Sequence, residues 1–160
     1  MKEMKTETEK VTIGSRIPDF ELPDHDGKLC RIQDLIGTKN LVIYFYPKDE
    51  TAGCTRQACS FRDEYEAFKE ADAEVIGISS DTPQSHSEFM KNHRLPFILL
   101  SDENKTVRRM FNVPGNLLGL LDGRVTYIVD KQGIVRHIFN SQLRIDRHID
   151  ESLKILRELK

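Results

Sequence analysis

Two thiols five residues apart, Cys54 and Cys59, stand in the stretch Tyr46-Pro-Lys-Asp-Glu-Thr-Ala-Gly-Cys-Thr-Arg-Gln-Ala-Cys59 of this 160-residue chain. The stretch follows an apolar run, Leu41–Tyr46, and leads into a segment with helical spacing, so Cys54 falls at or near a helix N-terminus. A thiolate there meets unpaired backbone N–H groups and the positive end of the helix macrodipole, and both lower a thiol pKa from its free value near ~8.5. Lys48 and Arg56 add to that pull, while Asp49 and Glu50 oppose it. Free cysteine is also a common small core residue, so position alone leaves Cys54 divided between nucleophile and packing. Cys59 makes the pair C-x4-C rather than the C-x-x-C of dithiol redox motifs. In a regular helix that offset means ~7.5 Å of rise and ~140° of rotation, which sets the Cα atoms beyond the ~7 Å at which a disulfide closes. A bond between the two requires the helix to open, and on spacing alone Cys59 reads rather as a core cysteine beside Phe61.

The elements that must carry these thiols follow from hydrophobic periodicity. Phe20-Glu-Leu22 and Leu29-Cys-Arg-Ile32 flank the turn residues Asp24-His-Asp-Gly27, which predicts an N-terminal hairpin. Leu41–Tyr46 is apolar throughout and bounded by Asn40 and Pro47, as expected of a central strand covered on both faces. Phe61, Tyr65 and Phe68 recur at helical spacing without Gly or Pro, predicting one amphipathic helix over 55–69. Residues 73–79 read as a second buried strand, and 83–93 as a helix that begins behind Asp81 and Thr82 with Pro83 at an early position. A short strand over 97–100, a helix over 104–111 and a hairpin of 125–129 with 134–139 follow. A final helix carries the stripe Ile145, Ile149, Leu153 and Leu156. Strands alternating with helices, then a hairpin and a helix, predict an α/β layered domain with a mixed sheet. Residues 1–13 read as a frayed tail and residues 14–160 as one domain.

Composition narrows the function classes. With 38% hydrophobic and 31% charged residues, 9 Gly and 6 Pro, the chain is neither collagen-like, low-complexity nor largely disordered. Lys and Arg number 24 against 26 Asp and Glu, a formal charge of −2, so nothing draws the molecule as a whole to nucleic acid or an anionic membrane. The longest apolar run is far short of the ~20 residues that span a bilayer. The first ten residues alternate in sign, unlike a signal or transit peptide, and a cytoplasmic protein is expected. Three cysteines are too few for a disulfide scaffold. The five histidines, at 25, 86, 93, 137 and 148, are not grouped with cysteines or carboxylates at metal-ligand spacing, and no P-loop or G-x-G-x-x-G occurs; no bound metal or cofactor is expected. Arg108-Arg109 reads as a solvated helix face, and Cys30 as a partly buried spare thiol in the hairpin.

Pro47, Thr51 and Cys54 together meet P-x-x-x-T-x-x-C, the active-site signature of the peroxiredoxins, which this chain resembles. The likeness is closer still to the branch called peroxiredoxin Q or bacterioferritin comigratory protein. It runs through Phe45-Tyr-Pro-Lys-Asp-Glu-Thr51, Gly53-Cys-Thr, Ala58-Cys-Ser-Phe-Arg-Asp63, Glu74-Val-Ile-Gly-Ile-Ser79, Leu100-Ser-Asp102 and Gly123-Arg-Val-Thr-Tyr127, in order from about Gly14 to Leu156. The resemblance implies a thioredoxin-like fold, with a central mixed sheet flanked by helices and an N-terminal β-hairpin. It also implies thiol-dependent reduction of hydrogen peroxide and organic hydroperoxides.

On the same ground Cys54 is expected to be the peroxidatic nucleophile, oxidised to a sulfenic acid. Cys59 is expected to be the resolving cysteine that condenses with it to an intramolecular disulfide, and thioredoxin or a similar dithiol to be the reductant. The Thr51 hydroxyl and the Arg124 guanidinium occupy positions that the family uses to orient the peroxide and stabilise the thiolate, and Pro47 one that shields the site from water. Displacement at oxygen needs such a set: a thiolate, an in-line peroxide, and donors for the charge developing on the leaving oxygen. Singly, Pro47 is an ordinary strand terminator, Thr51 an ordinary N-cap and Arg124 a solvated strand-edge charge; their joint occurrence with Cys54 reverses those readings. Ala52 departs from the branch, which usually carries Pro there. No cysteine follows Cys59, which favours chemistry completed within one chain and hence a monomer. Two other readings stand beside this one: a one-cysteine peroxidase whose Cys54 is resolved by an external thiol, and a redox-sensing or holdase-type module without turnover.

Overall fold

The computed structural model describes residues 11–115 and 122–159. Strands β1 (Glu21–Pro23) and β2 (Leu29–Arg31) form the N-terminal hairpin, in register Leu22 to Cys30. The central sheet has the order β5-β4-β3-β6-β7, built from β3 (Asn40–Phe45), β4 (Ala73–Ser79), β5 (Ile98–Ser101), β6 (Val125–Val129) and β7 (Val135–Asn140). β3, β4 and β5 run parallel, while β6 lies antiparallel to β3 and β7 antiparallel to β6, so the sheet is mixed as expected. The helices are α1 (Ala52–Asp63), α2 (Tyr65–Glu70), α3 (Pro83–His93), α4 (Thr106–Met110) and α5 (Ile145–Glu158). Of the tail expected over 1–13, residues 1–10 lie outside the described residues, and Val11 is buried in the core.

Alternation along β3 builds two core layers. Val42, Tyr44 and Tyr46 face a layer closed by Phe61 of α1, Phe68 of α2, Phe89 of α3 and the Ile149, Leu153 and Leu156 stripe of α5. Leu41, Ile43 and Phe45 face the other, closed by Phe20 and Leu22 of the hairpin region and by Val107 and Phe111 around α4. Every residue of β3 is buried, which is why Leu41–Phe45 is an unbroken apolar run rather than an alternating one.

The single helix expected over 55–69 is corrected to two. α1 starts at Ala52, and the chain breaks at Glu64, whose φ of −99° and ψ of 9° leave the helical region before α2 begins. The break re-aims the chain: α1 packs along α5, whereas α2 packs on β4. Phe61 and Phe68 keep helical spacing across it, so periodicity alone does not reveal the change of direction.

His148 lies on the buried stripe of α5, fully enclosed, with Nδ1 2.7 Å from the Thr126 hydroxyl and Nε2 2.7 Å from the Ser141 carbonyl oxygen. Nε2 therefore donates to the carbonyl and Nδ1 accepts from Thr126, which is the neutral ring. Burial, with the charge of Arg124 adding to it, overcomes the pull of the Ser141 carbonyl and brings the imidazole from 6.5 down to about 4. The unfolded chain thus takes up a proton below pH 6.5 that the native state refuses until about 4, so acidification favours unfolding across that window. The loss approaches about 3 kcal/mol by the lower end. Urea midpoints measured from pH 7.5 to 4 are expected to fall with this slope, and the slope to flatten in His148→Gln; identical slopes in the two proteins would remove His148 as the cause.

Candidate active site

The C-terminal ends of parallel strands are where open α/β sheets place their sites, and here the chain leaves β3, crosses a short loop and enters α1. The loop is tied down by Asp49. This buried carboxylate accepts from the Tyr46 hydroxyl at 2.5 Å and the Ser85 hydroxyl at 2.9 Å, and its Oδ2 lies 2.7 Å from Nδ1 of the buried His86. The Asp49 N–H donates to Asp81 at 2.8 Å, so the start of α3 holds the loop from the side. Thr51 is the N-cap of α1, but its hydroxyl donates to the Lys48 carbonyl at 2.8 Å rather than accepting from a helix N–H. Ala52, Gly53 and Cys54 form the first turn, which puts the buried Cys54 among the unpaired N–H groups as position alone suggested. Ala52 occupies the first helical position, where proline loses nothing by lacking an N–H.

Arg124 reaches this thiol through sheet register. β6 pairs antiparallel with β3, Phe45 opposite Val125, so the residue before β6 stands beside Tyr46 and its side chain points to the α1 face. Its Nη2 lies 3.3 Å from Cys54 Sγ and its Nη1 donates to Gln57 Oε1 at 2.5 Å, with Arg124 only 4% exposed. The solvated strand-edge charge that Arg124 would be on its own is not what the fold makes of it. Gly53 permits the approach: a Cβ there would sit 3.1 Å from Nη2.

Two neighbours were not singled out from sequence. Gln57, one helical turn after Cys54, fixes the Arg124 fork, and that i, i+3 spacing was a readable signal. Tyr44, on β3, has a buried hydroxyl, and burial followed by the charge of Cys54 pushes its pKa well up, which keeps it a proton donor. Among the described residues, the Tyr44 hydroxyl, Gln57 Nε2 and Arg124 Nε are buried without a hydrogen-bond partner.

Arg108 corrects the solvated helix face expected for Arg108-Arg109. Arg109 is exposed, but Arg108 is 6% exposed and donates to the Gly123 and Tyr46 carbonyls, each at 2.9 Å. Those carbonyls follow the last β3–β6 pair, where the ladder ends, and one guanidinium satisfies both. Nothing in the sequence announces this, because α4 is too short for its periodicity to distinguish faces.

Cys59 is half-buried on the same unbroken α1, and all three cysteines are free thiols. Pro47 is half-buried at the start of the loop. Cys30 stays apart in the hairpin, where burial and then the carboxylates of Asp24 and Asp34 push its thiol up, the opposite of an activated cysteine.

The model of the AhpC/TSA family matches residues 13–138. The chain belongs to that family. Within it, the relatives are peroxiredoxins Q: the chloroplastic protein of Populus jackii is 53% identical over 150 residues, covering 94% of this chain and 70% of that protein. The chloroplastic peroxiredoxin Q of Arabidopsis thaliana is 53% identical over 148 residues, 92% of this chain and 68% of that one. Among solved structures, the peroxidoxin BcpB of Mycobacterium tuberculosis superposes with a TM-score of 0.87 at 36% identity, covering 94% of this chain and 99% of its own. The fold is the thioredoxin-like one, and the chain is a thiol-dependent peroxidase.

The expected cytoplasmic location is overturned by the same relatives, which are named as chloroplastic. The charge alternation behind that expectation concerns residues 1–10, whereas the likeness to the relatives lies in the peroxiredoxin domain, whose packing is indifferent to compartment.

Gly53→Ala in this peroxiredoxin separates catalysis from stability. The new methyl group crowds Arg124 Nη2, which Gln57 holds in place, so peroxide reduction is expected to slow roughly tenfold from a shift of a few tenths of an ångström. Alanine inside a helix favours the folded state by roughly 0.5–1 kcal/mol over glycine, so the melting temperature should hold or rise. Peroxidase assays and thermal melts on one preparation test this; unchanged activity would mean that Arg124 does not need its observed position.

Proposed function

We propose that this peroxiredoxin reduces peroxides through a Cys54 sulfenic acid, which Cys59 resolves within the same chain and thioredoxin or a similar dithiol recycles. The observation that carries the reading is the buried contact of Arg124 Nη2 with Cys54 Sγ, 3.3 Å, at the first turn of α1. The Cys54 thiolate attacks one peroxide oxygen and the O–O bond breaks. Cys54 keeps the attacked oxygen as Cys–SOH, and the other oxygen leaves as hydroxide or alkoxide and takes a proton to become water or alcohol. Arg124, already fixed by Gln57, meets the developing charge without reorganising. Thr51 has committed its own proton to Lys48, so its oxygen accepts from the peroxide O–H and aligns the O–O bond with Sγ. Pro47 has no N–H to offer water at the loop entrance.

The sulfenic acid and the Cys59 thiol then condense to a disulfide with loss of water. α1 is continuous from Ala52 to Asp63, so the two sulfurs meet only after its first turns unwind. Unwinding gives up a few backbone hydrogen bonds, each worth about 1 kcal/mol net, and exposure of Phe61 costs at most about 1.5–3 kcal/mol. Local openings of that size are ordinary. Both thiols lie on one helix, so the cycle needs no second copy, which supports a monomer.

Peroxide consumption with thioredoxin, its reductase and NADPH tests the whole cycle. Many equivalents per chain are expected. About one equivalent would make the protein a sensor, and turnover with external thiols that survives Cys59→Ser undiminished would make it a one-cysteine peroxidase.

A further inference from the structure

We infer that the last turn of α3 clamps both ends of α1, and that His93, with Glu50 and Arg62 as its partners, sets how the Cys54 sulfenic acid divides between disulfide and overoxidation. The inference rests on the two-cysteine reading above.

The upstream contact falls on Glu50, four residues before Cys54. Glu50 has a φ of 63°, a left-handed conformation that is unfavourable for a non-glycine residue and persists only where neighbours impose it. The neighbours are on α3: Asn92 Nδ2 donates to Glu50 Oε1 at 3.1 Å, and His93 Nε2 lies 2.9 Å from Oε2. The His93 hydrogen bond is also the main cause that holds the Glu50 carboxyl below the ordinary carboxylate range.

The downstream contact falls on Arg62, three residues after Cys59. Its Nη1 donates to the main-chain carbonyl of His93 at 2.7 Å, while Nε is occupied by Asp63 at 3.0 Å. That carbonyl belongs to the last turn of α3, which ends at Arg94 with a left-handed φ of 52°. Carbonyls in a last turn lack helical partners and carry the negative end of the dipole, so a guanidinium suits the place. One residue of α3 thus holds α1 on both sides of its cysteines, by its side chain before them and by its backbone after them.

Opening α1 between these points strains or breaks the two contacts, so they oppose resolution. They touch neither Cys54 Sγ nor Arg124, so they leave the attack on peroxide alone. Two fates of Cys54–SOH then compete. In one, Cys59–SH attacks, giving Cys54–S–S–Cys59 and water. In the other, a second peroxide oxidises Cys54–SOH to Cys54–SO2H and is itself reduced to alcohol or water. A tighter clamp lengthens the life of the sulfenic acid and favours the second.

The test uses the full chain with Arg62→Met, which removes the downstream donor and keeps an apolar stem. His93→Ala removes the upstream partner and keeps the carbonyl. Rapid-quench mass spectrometry after one equivalent of hydrogen peroxide follows the sulfenic acid and the disulfide; a peroxide titration then reads the sulfinic acid. Sulfenic acid formation is expected within about twofold of the parent protein, whereas disulfide formation should be roughly three- to tenfold faster in the double variant. The peroxide needed for half-overoxidation should rise by the same factor. Arg62→Lys, which retains a donor for the carbonyl, should return toward the parent rate, a rescue that general loosening of the fold would not show. A Cys54–Cys59 disulfide forming at unchanged or lower rate in both variants would overturn the clamp. Absence of that disulfide from the parent protein itself would instead overturn the two-cysteine reading beneath it.

Discussion

Cys54→Ser is expected to abolish peroxide reduction, and Cys59→Ser to react once and stop. Only Cys54 has both the first turn of a helix and the Arg124 donor, and a serine hydroxyl in its place stays protonated and unreactive toward an O–O bond. With Cys59 replaced, the first step is intact but its product has no second thiol on α1 to condense with, since Cys30 lies apart in the hairpin. The protein should therefore accumulate one added oxygen on Cys54 and resist reduction by thioredoxin, which attacks disulfides. Mass spectrometry of peroxide-treated Cys59→Ser decides the matter. An unmodified Cys54 there would reject the assignment, and the same oxygen on Cys30 would transfer it to the hairpin.

The second large effect is expected at Arg124. Removing one preorganised donor from a developing oxyanion costs about 10²–10³-fold in rate, and Arg124→Ala should lower kcat/KM for peroxide by that order. Alkylation of Cys54 by iodoacetamide, which needs the thiolate but no donor for a departing peroxide oxygen, should slow far less. Equal slowing of the two reactions would confine Arg124 to stabilising the thiolate. Arg124→Lys is not expected to restore the rate, because a single ammonium cannot serve Gln57 and Cys54 as a fork does.

These expectations draw on features of unequal visibility in the chain. The hairpin, the buried β3, the helix behind Thr82 and the stripe of α5 were all legible, because each is written in short-range periodicity and turn chemistry. The division of α1 from α2 at Glu64 was not, since both halves keep the same spacing of buried aromatics. His148 shows an intermediate case. Its place three residues after Ile145 puts it on the stripe, but that its ring is neutral follows only from Thr126 on β6 and the Ser141 carbonyl.

The chemistry available is written in neighbouring residues: a thiol at a helix start, a second thiol five residues on that an intact helix keeps away, and the Pro47, Thr51 and Arg124 types that match a peroxidase signature. Such features are local, and local geometry is encoded in neighbouring residues. Which donor meets the sulfur depends on how distant segments pack. Arg124 comes from the start of β6 and Gln57, which holds it, from α1, while Arg108 of α4 donates to the Gly123 and Tyr46 carbonyls beside Arg124. Their meeting depends on the antiparallel register that sets Phe45 opposite Val125, and register is fixed by packing both faces of the sheet at once rather than by any one segment.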